Sequence, residues 1–370
     1  MISEHKKIDY ILIVIVVILI LLGFFILSSA STVLSQKNFG HPYYYLKHQL
    51  LFGLLPGIFL GFLTFKMPIR FLRLISPYLI FINLILTAMV LLPQVGLEAG
   101  GAKRWLHFGN IVFQPSEFLK ITFVLYLASW LASRFEGKKT TRGKEFSQTL
   151  IAFLIIIGII SGLLIAQPDI TTLGIIVLVG FLMYFIIETP FWHTILFFLL
   201  GLTTLLILSK TAHYRLRRWT IFLNPEVDPL GMGYQLKQAL IAVGSGGIFG
   251  LGLGMSRQKF GFLPHAISDS AFSIFAEEAG FFGGIILILL FLLFLWRGFK
   301  IAKTNHDRFC QLTAVGITSW IFLQFFVNVG AMIGILPLAG IPLPFISYGG
   351  SHLICELIGI GILLNISKST

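Results

Sequence analysis

The stretch Tyr10–Ser29, YILIVIVVILILLGFFILSS, decides the architecture because no charge interrupts it. About 20 apolar residues in an α-helix, each rising about 1.5 Å, span the roughly 30 Å hydrocarbon core of a bilayer. The stretch is too long for a signal-peptide core and lacks a small-residue cleavage site of the A-x-A type, so it reads as a retained first helix. Comparable runs follow near 49–66, 71–92, 115–133, 148–166, 170–188, 190–209, 271–296, 309–335 and 351–367. Only Glu188-Thr189-Pro190 divides the sixth run from the seventh. The expected fold is therefore all-α: a polytopic integral membrane protein of about ten transmembrane helices.

Composition excludes the soluble classes. Of the 370 residues, 56% are hydrophobic and only 11% are charged, and mean hydropathy is +0.92. A soluble domain cannot bury that much apolar surface, whereas lipid solvates it. The net charge of +12 does not point to nucleic acid, because the basic residues cluster between apolar runs. They read as topology signals and as contacts for anionic membrane lipid or pyrophosphate. With a cytoplasmic N-terminus, the short inner segments carry Lys6, Lys7, Lys66, Arg70, Arg73, Arg134, Lys138, Lys139, Arg142, Lys144, Arg297, Lys300, Lys303, Arg308 and Lys368. The short outer loops carry only Lys37, Lys47, Lys103 and Arg104. This asymmetry predicts an N-in, C-in chain with an even number of spans. Cys310 and Cys355 lie inside apolar runs and read as buried free thiols.

Two outer segments exceed what a connector requires. One runs from about Pro93 to Gln114. The other, 210–268, is a long extracytoplasmic loop between helices 7 and 8. No internal repeat, low-complexity tract or separate soluble domain interrupts residues 1–370, which read as one membrane domain.

Charges within apolar runs are costly and need a partner or a task. Glu117 and Lys120 share one helix face as i,i+3 neighbours, so they either form an internal salt bridge or line a substrate cavity. Asp169 reads first as a helix cap. Adjacent Glu277 and Glu278 should point apart, so that at most one faces a shared site. Glu356 has no obvious local partner. In the long loop, Arg215, Arg217, Arg218 and Trp219 join cations to interfacial aromatic rings. The glycine-rich run 244–254 has no preceding strand and no GK[ST], so it is no nucleotide loop; glycines there permit tightly packed or re-entrant backbone. Arg257 and Lys259 either hold a pyrophosphate or snorkel to head groups. Asp269, in Ser268-Asp269-Ser270 at the mouth of a helix, is equally an N-cap or a catalytic base.

Five stretches resemble the signatures of the SEDS family (shape, elongation, division and sporulation). They are GGAKRWLHFGNIVFQPSEFLK at 100–120, YRLRRWTIFLNPEVDPLGMGYQ at 214–235, GSGGIFGLGLGMSRQKFGFLP at 244–264, and LPLAGIPLPFISYGGS at 336–351 with GILLNIS at 361–367. The resemblance implies a peptidoglycan glycosyltransferase of the plasma membrane that polymerises lipid II and releases undecaprenyl pyrophosphate. It also implies a class B penicillin-binding protein transpeptidase as partner. GLGLGMSRQK and the 328–351 run look more like the division branch than the elongation branch, which implies other divisome proteins as partners and a septal location. The alternatives are an elongation polymerase, a lipid II flippase and a non-catalytic scaffold.

The family's essential acid usually stands in a His-Thr-Asp-Phe setting. Here the matching residues are Ser268, Asp269 and Ser270, so the acid is kept while its neighbours differ. The resemblance thus makes Asp269 the candidate base. Arg104, Trp105, Glu117, Lys120, Arg215, Arg218, Arg257 and Lys259 are the candidate substrate-binding residues. Glu356 stands where the family would have Asn. No metal-ligand cluster is legible, although a divalent cation (Mg or Mn) would suit the leaving group.

Overall fold

The computed structural model describes residues 8–99, 102–109, 111–135, 143–187, 191–197 and 213–368, with isolated positions between 199 and 203. Helix α1 spans Tyr10–Phe39. The Asp9 carboxylate starts it by accepting from Leu12 N at 3.0 Å, and Gly40 ends it in the left-handed conformation, as N- and C-caps commonly do. Then follow α2 (Tyr44–Lys66), which contains a π-helical turn at Leu50–Leu54, α3 (Ile69–Met89), α4 (Pro115–Phe135), α5 (Gly143–Ala166) and α6 (Ile170–Phe185). Beyond them lie α7 (His213–Leu223), α8 (Met232–Ser245), α9 (Ala271–Thr304), α10 (Arg308–Met332) and α11 (Gly350–Ser367).

Among the described residues, seven helices are long and apolar enough to cross a membrane. The expected 190–209 span falls partly outside the described residues. α10 and α11 are the most buried of the seven, and α10 packs against α4, α6 and α9. α2 lies along α11 with backbones almost touching: a Cβ on Gly361 would stand 2.1 Å from the Gly61 carbonyl oxygen. Small residues permit such approach, and lipid-embedded helices rely on close packing because lipid supplies no hydrophobic drive between them.

Two expectations need correction. The fold is not wholly α-helical: β1 (Gly96–Ala99), β2 (Ala102–Phe108) and β3 (Ile111–Phe113) form an antiparallel sheet in the order β1-β2-β3. Gly109, in the turn between β2 and β3, has φ +59°. Buried Ala102 and Leu106 face inward while their neighbours do not, the period-two pattern of a strand. The long loop, moreover, is largely structured, since it contains α7 and α8, and α8 packs on α9.

Helix α9 is interrupted at Gly280, whose φ and ψ are 68° and −165°. There the glycine-rich run crosses the helix. Leu251 N donates to Glu277 O at 3.0 Å, and Phe281 N donates to Gly247 O at 2.9 Å. A Cβ on Gly280 would stand 2.3 Å from Gly250 N, and one on Gly250 would stand 2.1 Å from Glu278 O. The crossing thus needs glycine on both sides, and the backbone groups freed by the break are satisfied by the segment lying in it.

Candidate functional site

Asp269 lies in the turn that leads into α9. Ser270 occupies the N-cap position of that helix and no side chain caps it. The capping alternative for Asp269 is therefore not realised, and its carboxylate remains available. Three elements hold the turn. From α10, Asn328 Nδ2 donates to Asp269 O at 2.8 Å and to Ile341 O at 2.7 Å. From the segment before α11, the Ser347 hydroxyl donates to Ser268 O, and Tyr348 N donates to Ile267 O at 2.9 Å. From α8, Gln235 Nε2 donates to Ser270 Oγ at 3.2 Å. The carboxylate faces Gly340, where a Cβ would lie 3.7 Å from Asp269 Oδ2.

Burial is the main influence on Asp269 and raises its pKa; His265, the Ser268 hydroxyl, Arg104 and Arg218 pull it back down. Desolvation disfavours the charged carboxylate, and neighbouring cations favour it. A carboxyl that binds its proton more tightly than usual, yet feels the charge of two guanidinium groups, suits a group that takes up a proton next to an anion.

Arg104 projects from β2. Its Nε donates to Gln167 O at 3.4 Å and its Nη2 to Pro168 O, so the end of α5 aims it. Arg218 comes from α7 and borders a small recess shared with Ile221, Phe222, Met232, Leu236 and Leu338. Asp169 bridges the neighbouring elements: it caps α6 and accepts from Ser116 Oγ at 3.0 Å.

The other predicted site residues are placed differently. Trp105 is paired with Leu97 in the sheet. Arg215 lies in α7, with its side chain outside the described residues. Arg257 is exposed, and its backbone N donates to Glu277 Oε1 at 3.0 Å. Lys259 is buried, its Nζ 3.2 Å from Glu278 Oε1 and 2.9 Å from Ser29 Oγ. Glu277 and Glu278 do not point apart, contrary to the helical expectation. Glu277 accepts from the Ser256 hydroxyl and from Gln258 N, while Glu278 accepts from Ser256 N. Both reach one loop because that loop wraps across the break in α9.

Glu117 and Lys120 form the internal salt bridge, 2.8 Å long and buried on both sides. Lys120 also donates to Gln324 Oε1 at 2.8 Å. Glu356 is not without a partner: His352 Nε2 lies 2.9 Å from its Oε1, and His352 Nδ1 lies 3.0 Å from Glu117 Oε2. The i,i+4 spacing of His352 and Glu356 was legible, as was the stripe Trp320, Gln324, Asn328 along α10. Each of those residues is small in number against long apolar runs, and a search for charge alone passes over His, Gln and Asn. Among the described residues, no group of three or more His, Cys, Asp or Glu could hold a metal ion, and Cys310 and Cys355 are buried free thiols.

The family described as "Cell cycle protein", comprising FtsW, RodA and SpoVE, matches residues 9–370. Stage V sporulation protein E of Bacillus subtilis is 37% identical over 372 residues, covering 100% of this chain and 99% of that protein. A probable peptidoglycan glycosyltransferase FtsW of Coxiella burnetii is 37% identical over 348 residues, covering 93% of this chain and 92% of its own length. A solved chain described under "Structural coordination of polymerization and crosslinking by a peptidoglycan synthase complex" superposes with a TM-score of 0.76 at 28% identity, covering 98% of each chain. Rod shape determining protein RodA of Thermus thermophilus superposes with a TM-score of 0.69 at 28% identity, covering 98% of this chain and 97% of its own.

Proposed function

The chain belongs to the FtsW, RodA and SpoVE family of cell cycle proteins, and from that premise we propose that it is a peptidoglycan glycosyltransferase with Asp269 as its general base. Its substrate is lipid II, and undecaprenyl pyrophosphate is the leaving group. One observation supports this most directly. The Asp269 carboxylate is held by its backbone from three sides, is not used as a cap, and feels the charges of Arg104 and Arg218.

In the proposed reaction, Asp269 accepts the proton of the acceptor 4-hydroxyl as that oxygen attacks the anomeric carbon of the donor. The bond from that carbon to pyrophosphate breaks, and its electron pair leaves with the phosphate. Cations offset the charge that develops there. Arg104 and Arg218 are the two guanidinium groups whose charge acts on the acid. Lys120 and Lys259 are already buried in ion pairs, which favours a structural role for both.

The identities to FtsW and SpoVE proteins favour a division or sporulation role over elongation. We place the chain in the plasma membrane with about ten spans and both termini cytoplasmic. A class B penicillin-binding protein is its partner, in keeping with the polymerisation and crosslinking complex to which it is similar. The test is polymerisation of labelled lipid II by the purified chain with its transpeptidase. Wild-type protein should form glycan strands and Asp269→Asn should form none. Normal strand growth by that variant would remove Asp269 from the mechanism.

A further inference from the structure

The segment between α10 and α11 reaches Asp269 through a tight turn. Ser347 N donates to Leu343 O at 3.0 Å, and Leu343 N donates to Ser347 Oγ at 2.8 Å. That same hydroxyl donates to the carbonyl of Ser268, one residue before the acid. At the centre of the turn, Phe345 is left-handed with φ 62°, a conformation a bulky side chain rarely adopts without outside support. The support comes from below: Phe345 N donates to Glu356 Oε2 at 2.8 Å. Glu356 is completely buried, and a carboxylate there requires a counter-charge.

His352 supplies it, with each ring nitrogen facing a carboxylate oxygen, Glu356 on one side and Glu117 on the other. Nδ1 is hydrogen-bonded to Glu117 Oε2, and Nε2 faces Glu356 Oε1 as a charge contact, so a doubly protonated ring presents its positive charge to both. With Lys120 on Glu117, the cluster holds two acids and two bases and is neutral as a unit. Gln324 ties the cluster to the same segment: its Oε1 accepts from Lys120 Nζ at 2.8 Å, and its Nε2 lies 3.3 Å from His352 Nδ1 and donates to Pro342 O at 3.2 Å.

We propose that His352 and Glu356 are positioning residues for glycosyl transfer: a charge-compensated strut that fixes the 343–347 turn and, through Ser347, the backbone beside Asp269. The strut acts on turnover rather than on substrate affinity, because neither residue borders the carboxylate itself. The inference rests on Asp269 being the base.

The test uses the full chain, wild type and variant, with labelled lipid II and the transpeptidase partner. It is normalised to folded protein by size-exclusion monodispersity and thermal unfolding in detergent. His352→Gln leaves Glu356 without its counter-charge, and Glu356→Gln leaves the imidazolium with one partner fewer. Each should lower kcat at least tenfold per folded molecule, with KM within about twofold. The double variant His352→Gln/Glu356→Gln keeps an acceptor for Phe345 N and removes one charge of each sign, so it should recover most of that loss. Wild-type kcat in both single variants, or a double variant no better than the worse single, overturns the proposal. So does a loss that disappears once rates are expressed per folded molecule. Asp269→Asn run alongside separates the two ideas: strand growth by that variant refutes the base assignment, whereas its inactivity beside fully active single variants refutes only the strut.

Discussion

Asn328, from the interior of α10, donates its side-chain amide to the main-chain carbonyl of Asp269 at 2.8 Å and to that of Ile341 at 2.7 Å. One side chain thereby joins the turn that carries the acid to the segment that passes over it. Asn328→Ala should leave the chain folded and lower kcat by about tenfold. The basis is the loss of two buried hydrogen bonds, each contributing roughly 0.5–1.5 kcal/mol. Steady-state polymerisation measures it, and an unchanged kcat would show that the turn holds its shape without this contact.

Asp269 should govern the acid limb of the pH–rate profile. A base must be ionised to accept a proton, and burial raises the pKa of this carboxyl. Turnover should therefore rise with pH through a midpoint above the ordinary Asp value of about 3.9. Arg104 favours the carboxylate, so Arg104→Gln should move that midpoint upward. A shift downward would contradict the arrangement of charge described for the site.

The same carboxyl should cost stability at neutral pH. Its folded pKa lies above its unfolded one, so the folded state binds the proton more tightly and stability falls as pH rises through the interval between the two values. Asp269→Asn abolishes this dependence and should raise the thermal midpoint at pH 7 by a few degrees. Unfolding scans at pH 4 and pH 7 test it, and the gain should shrink at the lower pH.

Lys259→Met removes the buried cation facing Glu278. Leaving one charge of a buried pair costs about 3–5 kcal/mol. The loop that Glu277 and Glu278 hold should then become sensitive to limited proteolysis between residues 252 and 260. The double change Lys259→Met/Glu278→Leu should recover much of the stability, since neither member of the pair is left facing an empty place.

Gly280→Ala should lower the yield of folded protein, because its Cβ would stand 2.3 Å from Gly250 N at a φ of +68° that an L side chain resists. Gly284, in ordinary helix with only Phe272 Cζ nearby at 4.0 Å, should accept Ala without loss. The comparison of the two in fluorescence-detected size exclusion isolates the crossing from the helix itself.

Membrane class and the positions of most long helices are legible in the chain because hydrophobic length is a direct physical requirement of the bilayer. The small sheet was not, since a search for runs of about 20 apolar residues passes over strands of a few residues, although the glycines around β2 were a turn signal. Asp269 could be singled out by its place at a helix mouth and by resemblance, but its freedom from capping follows from how the turn before α9 is held, which no local pattern encodes. Glu277 and Glu278 mislead for a definite reason: helical angles predict divergence only where nothing wraps around the helix. Glu356 looked isolated because its partner is a histidine, which a count of charges at neutral pH leaves out.

The break at Gly280 divides α9 into a short stub, 271–279, and a long shaft. The stub measures about 13 Å at roughly 1.5 Å per residue. Asp269 adjoins one end, and the glycine-rich strap is hydrogen-bonded to the other. Acid and crossing therefore stand at the two ends of one short helix, so a substitution at either end bears on a single piece of secondary structure. Phe249, Leu253 and Met255, on the run that fills the break, are exposed.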